Sequence, residues 1–131
     1  MGFEGNGEQK TRVILVDDEP DIVFLAKLLF ETDGRFEVVG EAGDGAEAVR
    51  LAQQLQPEAV LLDILMPGMD GWEALPLIRR VAPSTTVVVV SALGRRQNVA
   101  ERAELLGAAA YVEKARLGST PTIVASVLSA A

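Results

Sequence analysis

The sequence predicts an α/β fold in which helices wind over both faces of a parallel sheet. Three observations predict it. Short apolar runs recur, Val13-Ile14-Leu15-Val16, Ala59-Val60-Leu61-Leu62 and Val87-Val88-Val89-Val90. Runs this short are too brief for buried helices; they read as strands apolar on every side chain, which belong in a parallel sheet covered on both faces. Stretches of helical spacing lie between them, so strand and helix alternate five times. The length of 131 residues and the 49% hydrophobic content suit one domain with a proper core.

The elements follow in order. Residues 1–11 are rich in Gly and Glu and read as a flexible leader; residues 12–131 form the domain. The first strand is expected over 12–17. Glu19-Pro20-Asp21 opens a helix, with proline in the first turn where its missing N–H costs nothing. Ile22, Leu25 and Leu28-Leu29 recur at helical spacing. Asp33-Gly34 stops it. Residues 36–42 alternate more and predict an edge strand. Asp44-Gly45 opens a second helix with Val49, Ala52 and Leu55 inward, and Pro57 ends it. The third strand spans 59–63, followed by the turn-rich loop Met66-Pro67-Gly68-Met69-Asp70-Gly71. A third helix runs over 72–81 and is closed by Pro83. Residues 86–91 form a central strand, 97–106 a helix ending at Gly107, 109–112 a short fifth strand, and 121–130 the last helix. Right-handed crossovers limit the strand orders open to this pattern.

Composition excludes several functions. The net charge of −7 disfavours nucleic acid and anionic membranes as partners and suits cations and basic partners. The leader has no apolar core, so it is no signal peptide, and no apolar stretch approaches a membrane span. There is no cysteine, which removes disulfides and thiolate metal sites and is compatible with a cytoplasmic protein. There is no histidine, which removes histidine nucleophile pairs, histidine zinc sites and histidine bases. A phosphohistidine, if involved, lies on another protein.

Asp17, Asp18 and Asp63 end two of the apolar runs. Ligands of such sheets bind beyond the carboxyl ends of the strands, so the three carboxylates converge where chemistry is expected. Clustered carboxylates repel unless a cation joins them. All-oxygen donors point to Mg²⁺ or a similar hard ion. Asp18 can instead cap the helix that follows, but that does not account for Asp63, which no helix follows directly. Ser91 ends the fourth strand at the same edge; it can start a turn or bond an anion's oxygen. Lys114, after the fifth strand, can be merely solvated or can pair an anion beside the acids. Arg95-Arg96 compete for that role or form a partner-facing loop.

Taken together, Asp17-Asp18, then Asp63-Ile-Leu-Met-Pro-Gly-Met-Asp-Gly, then Ser91-Ala92, then Tyr111-Val-Glu-Lys114 resemble the receiver domain of two-component response regulators. The resemblance covers residues 11–131. It implies a flavodoxin-like doubly wound (βα)5 sandwich with strand order 2-1-3-4-5. It implies that Asp63 is the phosphoacceptor, that Asp18 binds Mg²⁺ directly and Asp17 largely through water, and that the Leu65 carbonyl completes the metal shell. Ser91 resembles the switch hydroxyl, Lys114 the phosphate-pairing lysine and Tyr111 the aromatic that changes rotamer. Tyr111 equally reads as an ordinary amphipathic residue near a sheet edge. The expected donor is a histidine kinase or histidine phosphotransfer protein, and the fourth and fifth helices are where receivers often form homodimers. The resemblance makes the chain a signalling switch and not an enzyme beyond gaining and losing its own phosphoryl group.

The pattern departs at one place. Ala115 follows Lys114 where the family usually has a proline preceded by a cis bond. A cis bond before alanine costs about 3–4 kcal/mol, so a trans bond and a shifted loop are expected, with Ser119 or Thr120 capping the last helix. This departure keeps a second reading, a degenerate receiver that binds partners without phosphorylation. An aspartyl hydrolase of the haloacid-dehalogenase type fits less well, since Leu65 stands where that class needs an acid. A flavin-binding flavodoxin fits least, lacking a hydroxyl-rich loop after the first strand. Leu65 and Leu93, two residues beyond Asp63 and Ser91, are expected to obstruct hydrolytic water.

Overall fold

The computed structural model describes residues 9–93 and 98–130; expectations for residues 1–8, for Arg95, Arg96 and Gln97, and for Ala131 lie outside these. The chain runs β1 (Thr11–Val16), α1 (Pro20–Asp33), β2 (Phe36–Ala42), α2 (Gly45–Leu55), β3 (Ala59–Asp63), α3 (Gly71–Val81), β4 (Thr86–Ser91), α4 (Val99–Leu105), β5 (Ala110–Glu113) and α5 (Thr120–Ser129). A 3-10 turn, Lys114–Ser119, joins β5 to α5. All four strand pairings are parallel, in the order β2-β1-β3-β4-β5. This is the flavodoxin-like order implied by the sequence, with β2 at one edge as its alternation required.

Side-chain alternation along the strands splits the core in two. Ile14, Val16, Val60, Leu62, Val87 and Val89 face α2, α3 and α4, where they meet Ala48, Ala52, Leu75, Ile78 and Ala103. Val13, Leu15, Leu61, Val88, Val90 and Val112 face α1 and α5, meeting Ala26, Phe30 and Val124. Strands β3 and β4 are covered on both faces, which is why they are apolar at successive positions. Fully burying such a side chain stabilises the fold by about 1.5–3 kcal/mol. On the α2 side, Arg102 stacks 4.1 Å from the centre of the Trp72 ring and ties the short α4 to α3.

Several local expectations are corrected. The inward face of α1 is built by Ile22, Ala26, Leu29 and Phe30, whereas Leu25 is 44% and Leu28 53% exposed. Helix α1 carries more apolar residues than one face can bury. Helix α3 starts one residue early, at Gly71, because Asp70 forms a capping box with Glu73. The expected loop after β5 is a 3-10 turn with Leu117 buried, and no cis peptide bond occurs among the described residues. Ser119 occupies the N-cap position of α5 as expected, but its side chain makes no capping hydrogen bond. The chain runs from the 3-10 turn straight into the helix, and the Thr120 hydroxyl donates to the Leu117 carbonyl at 2.6 Å.

Candidate functional site

The carboxyl ends of β1, β3 and β5 bring four of the expected side chains together. Asp17 continues β1: its N–H donates to the Ala42 carbonyl at 3.0 Å, as a strand residue would. Its Oδ1 accepts from the Glu19 N–H at 2.9 Å, and its Oδ2 pairs with Lys114 Nζ at 3.0 Å. Both oxygens of this buried carboxylate are therefore fixed. Asp18 is exposed, one residue further toward solvent. It is not the helix cap, since Glu19 occupies the N-cap position of α1. Asp63 is the last residue of β3 and only 3% exposed. One carboxylate oxygen from each of Asp17, Asp18 and Asp63 lies within 4.8 Å of the others.

Among the described residues neither side-chain oxygen of Asp63 has a hydrogen-bond partner of good geometry, although the Leu65 N–H lies close enough to favour the charged carboxylate. Its nearest cation is Lys114, at 3.5 Å from Oδ2. Buried polar groups without partners are rare and costly. Burial, then the charge of Asp17, push the Asp63 carboxyl up to about 6, against the opposing pull of Lys114. Burial works against the charge of Lys114, but its hydrogen bonds to Glu19 and Asp17 outweigh that and raise its pKa above the ordinary lysine value. Lys114 is thus a fixed cation at neutral pH.

Close backbone packing sets where Asp63 sits. The Gly71 N–H donates to the Ile64 carbonyl at 2.8 Å, folding the loop 64–70 back against the end of β3. A Cβ at Gly71 would run into the Asp63 carbonyl oxygen and the Ile64 Cα. Gly45, the first residue of α2, likewise donates to the Met69 carbonyl at 3.0 Å and has no room for a side chain. Leu65 lies in this loop with its side chain 53% exposed.

Ser91 ends β4 and is fully buried; its hydroxyl accepts from the Leu93 N–H at 3.1 Å. It stands one residue beyond Val90, the partner of Asp63 in the ladder, and is not hydrogen-bonded to that carboxylate. Ala92 is exposed, and Leu93 packs partly against the α2–α4 side of the core. Tyr111 is half-buried against the same side. It lines an open groove of about 540 Å³ with Asn98, Glu101, Arg116 and Ile123, between α4 and the β5–α5 segment. One site residue escaped the sequence reading: Glu19, read only as a helix opener, holds Lys114 Nζ at 2.9 Å. No local signal marks a pair 95 positions apart.

An all-oxygen donor set with two unpartnered buried oxygens fits a hard divalent cation. Among the described residues, no helix is long and apolar enough to cross a membrane.

Known proteins share this arrangement. The family model described as the response regulator receiver domain matches residues 13–123. The transcriptional regulatory protein PdtaR of Mycobacterium tuberculosis is 44% identical over 106 residues, covering 79% of this chain and 49% of that protein. Protein-glutamate methylesterase/protein-glutamine glutaminase 3 of Myxococcus xanthus is 39% identical over 92 residues, covering 70% of this chain and 26% of that protein. The chain therefore spans between a quarter and a half of the length of these curated relatives. The solved signal receiver domain of the putative response regulator NarL from Mycobacterium tuberculosis superposes with a TM-score of 0.81 at 35% identity, over 94% of this chain and 97% of that one. With sheet order, acidic edge and sequence in agreement, the chain belongs to the response regulator receiver domain family.

Proposed function

We propose that the chain accepts a phosphoryl group on Asp63 from a phosphohistidine of a histidine kinase or histidine phosphotransfer protein, and signals by the resulting change of surface. The observation that carries this reading is the state of Asp63: buried, without a well-formed hydrogen bond among the described residues, and next to a fixed cation. A structural carboxylate at 3% exposure would have its oxygens satisfied. An attacking carboxylate must keep a lone pair available.

In the reaction an Asp63 oxygen attacks phosphorus, a P–O bond forms, and the P–N bond to the donor imidazole breaks. The imidazole leaves, and water later cleaves the acyl phosphate to phosphate and the original carboxylate. Phosphoryl transfer needs mostly positioning and charge neutralisation. Lys114 pairs a phosphoryl oxygen from its place 3.5 Å from Asp63. Asp17, Asp18, Asp63 and the Leu65 carbonyl would hold Mg²⁺. When bound, the ion neutralises charge on the nucleophile and the phosphoryl oxygens. Ser91 gives up the Leu93 amide to donate to the new phosphoryl group. That exchange would shift the segment after β4 and bias the groove at α4, β5 and Tyr111 between two forms. Leu65, exposed beside the nucleophile, slows attack by water.

The domain is taken to run to 131 from the start of β1 at Thr11, one residue before the bound of 12 expected for it, with the residues ahead of it as leader, working in the cytoplasm as a switch and not as an enzyme acting on others. The α4–α5 surface is where a second receiver or a target would dock. Whatever output the longer relatives carry, phosphorylation of this segment would control it. Hydroxylamine treatment of the phosphorylated chain tests the chemistry. Release of the phosphoryl group is expected of an acyl phosphate; resistance would place it on a hydroxyl instead.

A further inference from the structure

Lys114 has three acidic neighbours, and the nearest is not a residue of the carboxylate cluster. Glu19 Oε1 stands at 2.9 Å from Nζ, Asp17 Oδ2 at 3.0 Å and Asp63 Oδ2 at 3.5 Å. Glu19 is also at the N-cap position of α1, where it makes no capping hydrogen bond. An N-cap side chain ordinarily accepts from the open amides of the first turn. Here the side chain reaches across to Lys114, just after β5, instead. The Glu19 backbone is pinned by Asp17 Oδ1 at 2.9 Å, which aims the side chain at Lys114.

The three partners differ in how readily they release the cation. Asp17 and Asp63 are buried, so losing Lys114 would leave them uncompensated. Glu19 is 60% exposed and returns to water at little cost. We propose that Glu19 is a positioning residue that holds Lys114 in the unphosphorylated chain and competes for it with a phosphoryl-like anion at Asp63. The inference rests on the phosphoacceptor reading of Asp63. Such an anion carries more charge than a carboxylate and several acceptor oxygens, so it draws Lys114 from its most exposed partner. Glu19 thereby sets the threshold for occupancy, because each binding event must first break this pair.

The test is beryllofluoride binding by calorimetry at saturating Mg²⁺, for the native chain, Glu19→Gln and Glu19→Asp. Both variants are expected to bind about two- to fivefold more tightly, the range of an exposed ion pair. Glu19→Asp keeps the charge, but its shorter carboxylate turns to the α1 amides, as aspartate at an N-cap prefers. Tighter binding by Glu19→Gln alone would mean a general effect of negative charge and would overturn the proposal. Equal binding by all three would also overturn it. A native chain that binds no better than Asp63→Asn would remove the phosphoacceptor reading itself, a separate result. A metal-free readout accompanies this. Urea midpoints of Glu19→Gln, Lys114→Met and the double variant are expected to be non-additive; strict additivity would show that the two side chains do not interact.

Discussion

Lys114 holds its ammonium 3.5 Å from Asp63 Oδ2 while making its shorter contacts to Asp17 and Glu19. The cation that balances the buried carboxylate thus belongs mainly to its neighbours. This leaves Asp63 beside a cation yet without a well-formed hydrogen bond among the described residues.

Replacing Lys114 with Met should expose that balance. Asp17 and Asp63 would face each other without a cation, and stability at pH 7 should fall by about 1–3 kcal/mol in urea unfolding. Lys114 has a raised pKa. Its contribution is therefore complete below the ordinary lysine pKa and disappears only as pH rises through the raised value. The loss should be undiminished across the neutral range, and phosphoryl uptake should slow by about 10- to 100-fold.

Asp63→Asn should act in the opposite direction on stability. The carboxyl has a pKa of about 6 in the fold against the usual aspartate value of 3.8. Between those values the folded chain binds more protons than the unfolded chain, so stability attributable to this group falls as pH rises. Removing the charge should therefore stabilise the metal-free chain at pH 7 by about 1–3 kcal/mol. The gain should shrink toward pH 4. Urea titrations of both chains at several pH values measure it.

On the proposed function, the folded cluster binds Mg²⁺ and the unfolded chain does not, so the ion should stabilise the native chain. At tenfold excess over Kd the gain is about 1.4 kcal/mol. A chelator should reverse it, and Asp18→Asn should abolish most of it. Acidification through pH 6 should weaken it, as protons compete for Asp63. Thermal unfolding with and without the ion gives the answer directly.

Gly71→Ala should disturb Asp63 from outside the cluster. The added Cβ would meet the Asp63 carbonyl and the Ile64 backbone, so the loop must move, at a cost of about 1–3 kcal/mol. The Mg²⁺-dependent gain should shrink with it. Gly118→Ala is the control, since a Cβ there meets nothing within 4 Å; its urea midpoint should change little.

Much of the fold was legible because apolar runs announce doubly covered strands. The bounds expected for β2, β3 and β4 are those observed, and the acids at the ends of β1 and β3 do converge. What escaped depends on long-range packing. Which apolar residues of α1 turn inward is decided by the sheet beneath it, and helical spacing alone does not show that Leu25 and Leu28 stay exposed. The 3-10 turn after Lys114 is anchored by the burial of Leu117, which no local pattern announces. Glu19 reaches a lysine brought close only by the closing of β5 onto the sheet. Gly71 looked like a turn residue, and its tight approach to Asp63 appears only in three dimensions.

The most direct test of the central claim is intact mass after incubation with Mg²⁺ and a small acyl-phosphate donor, for the native chain and Asp63→Asn. The account predicts one added phosphoryl group on the native chain and none on the variant. A phosphoryl group retained by Asp63→Asn would contradict it by placing the nucleophile on another residue. Absence of uptake, together with failure to bind beryllofluoride, would contradict it in favour of a receiver that binds partners without phosphorylation.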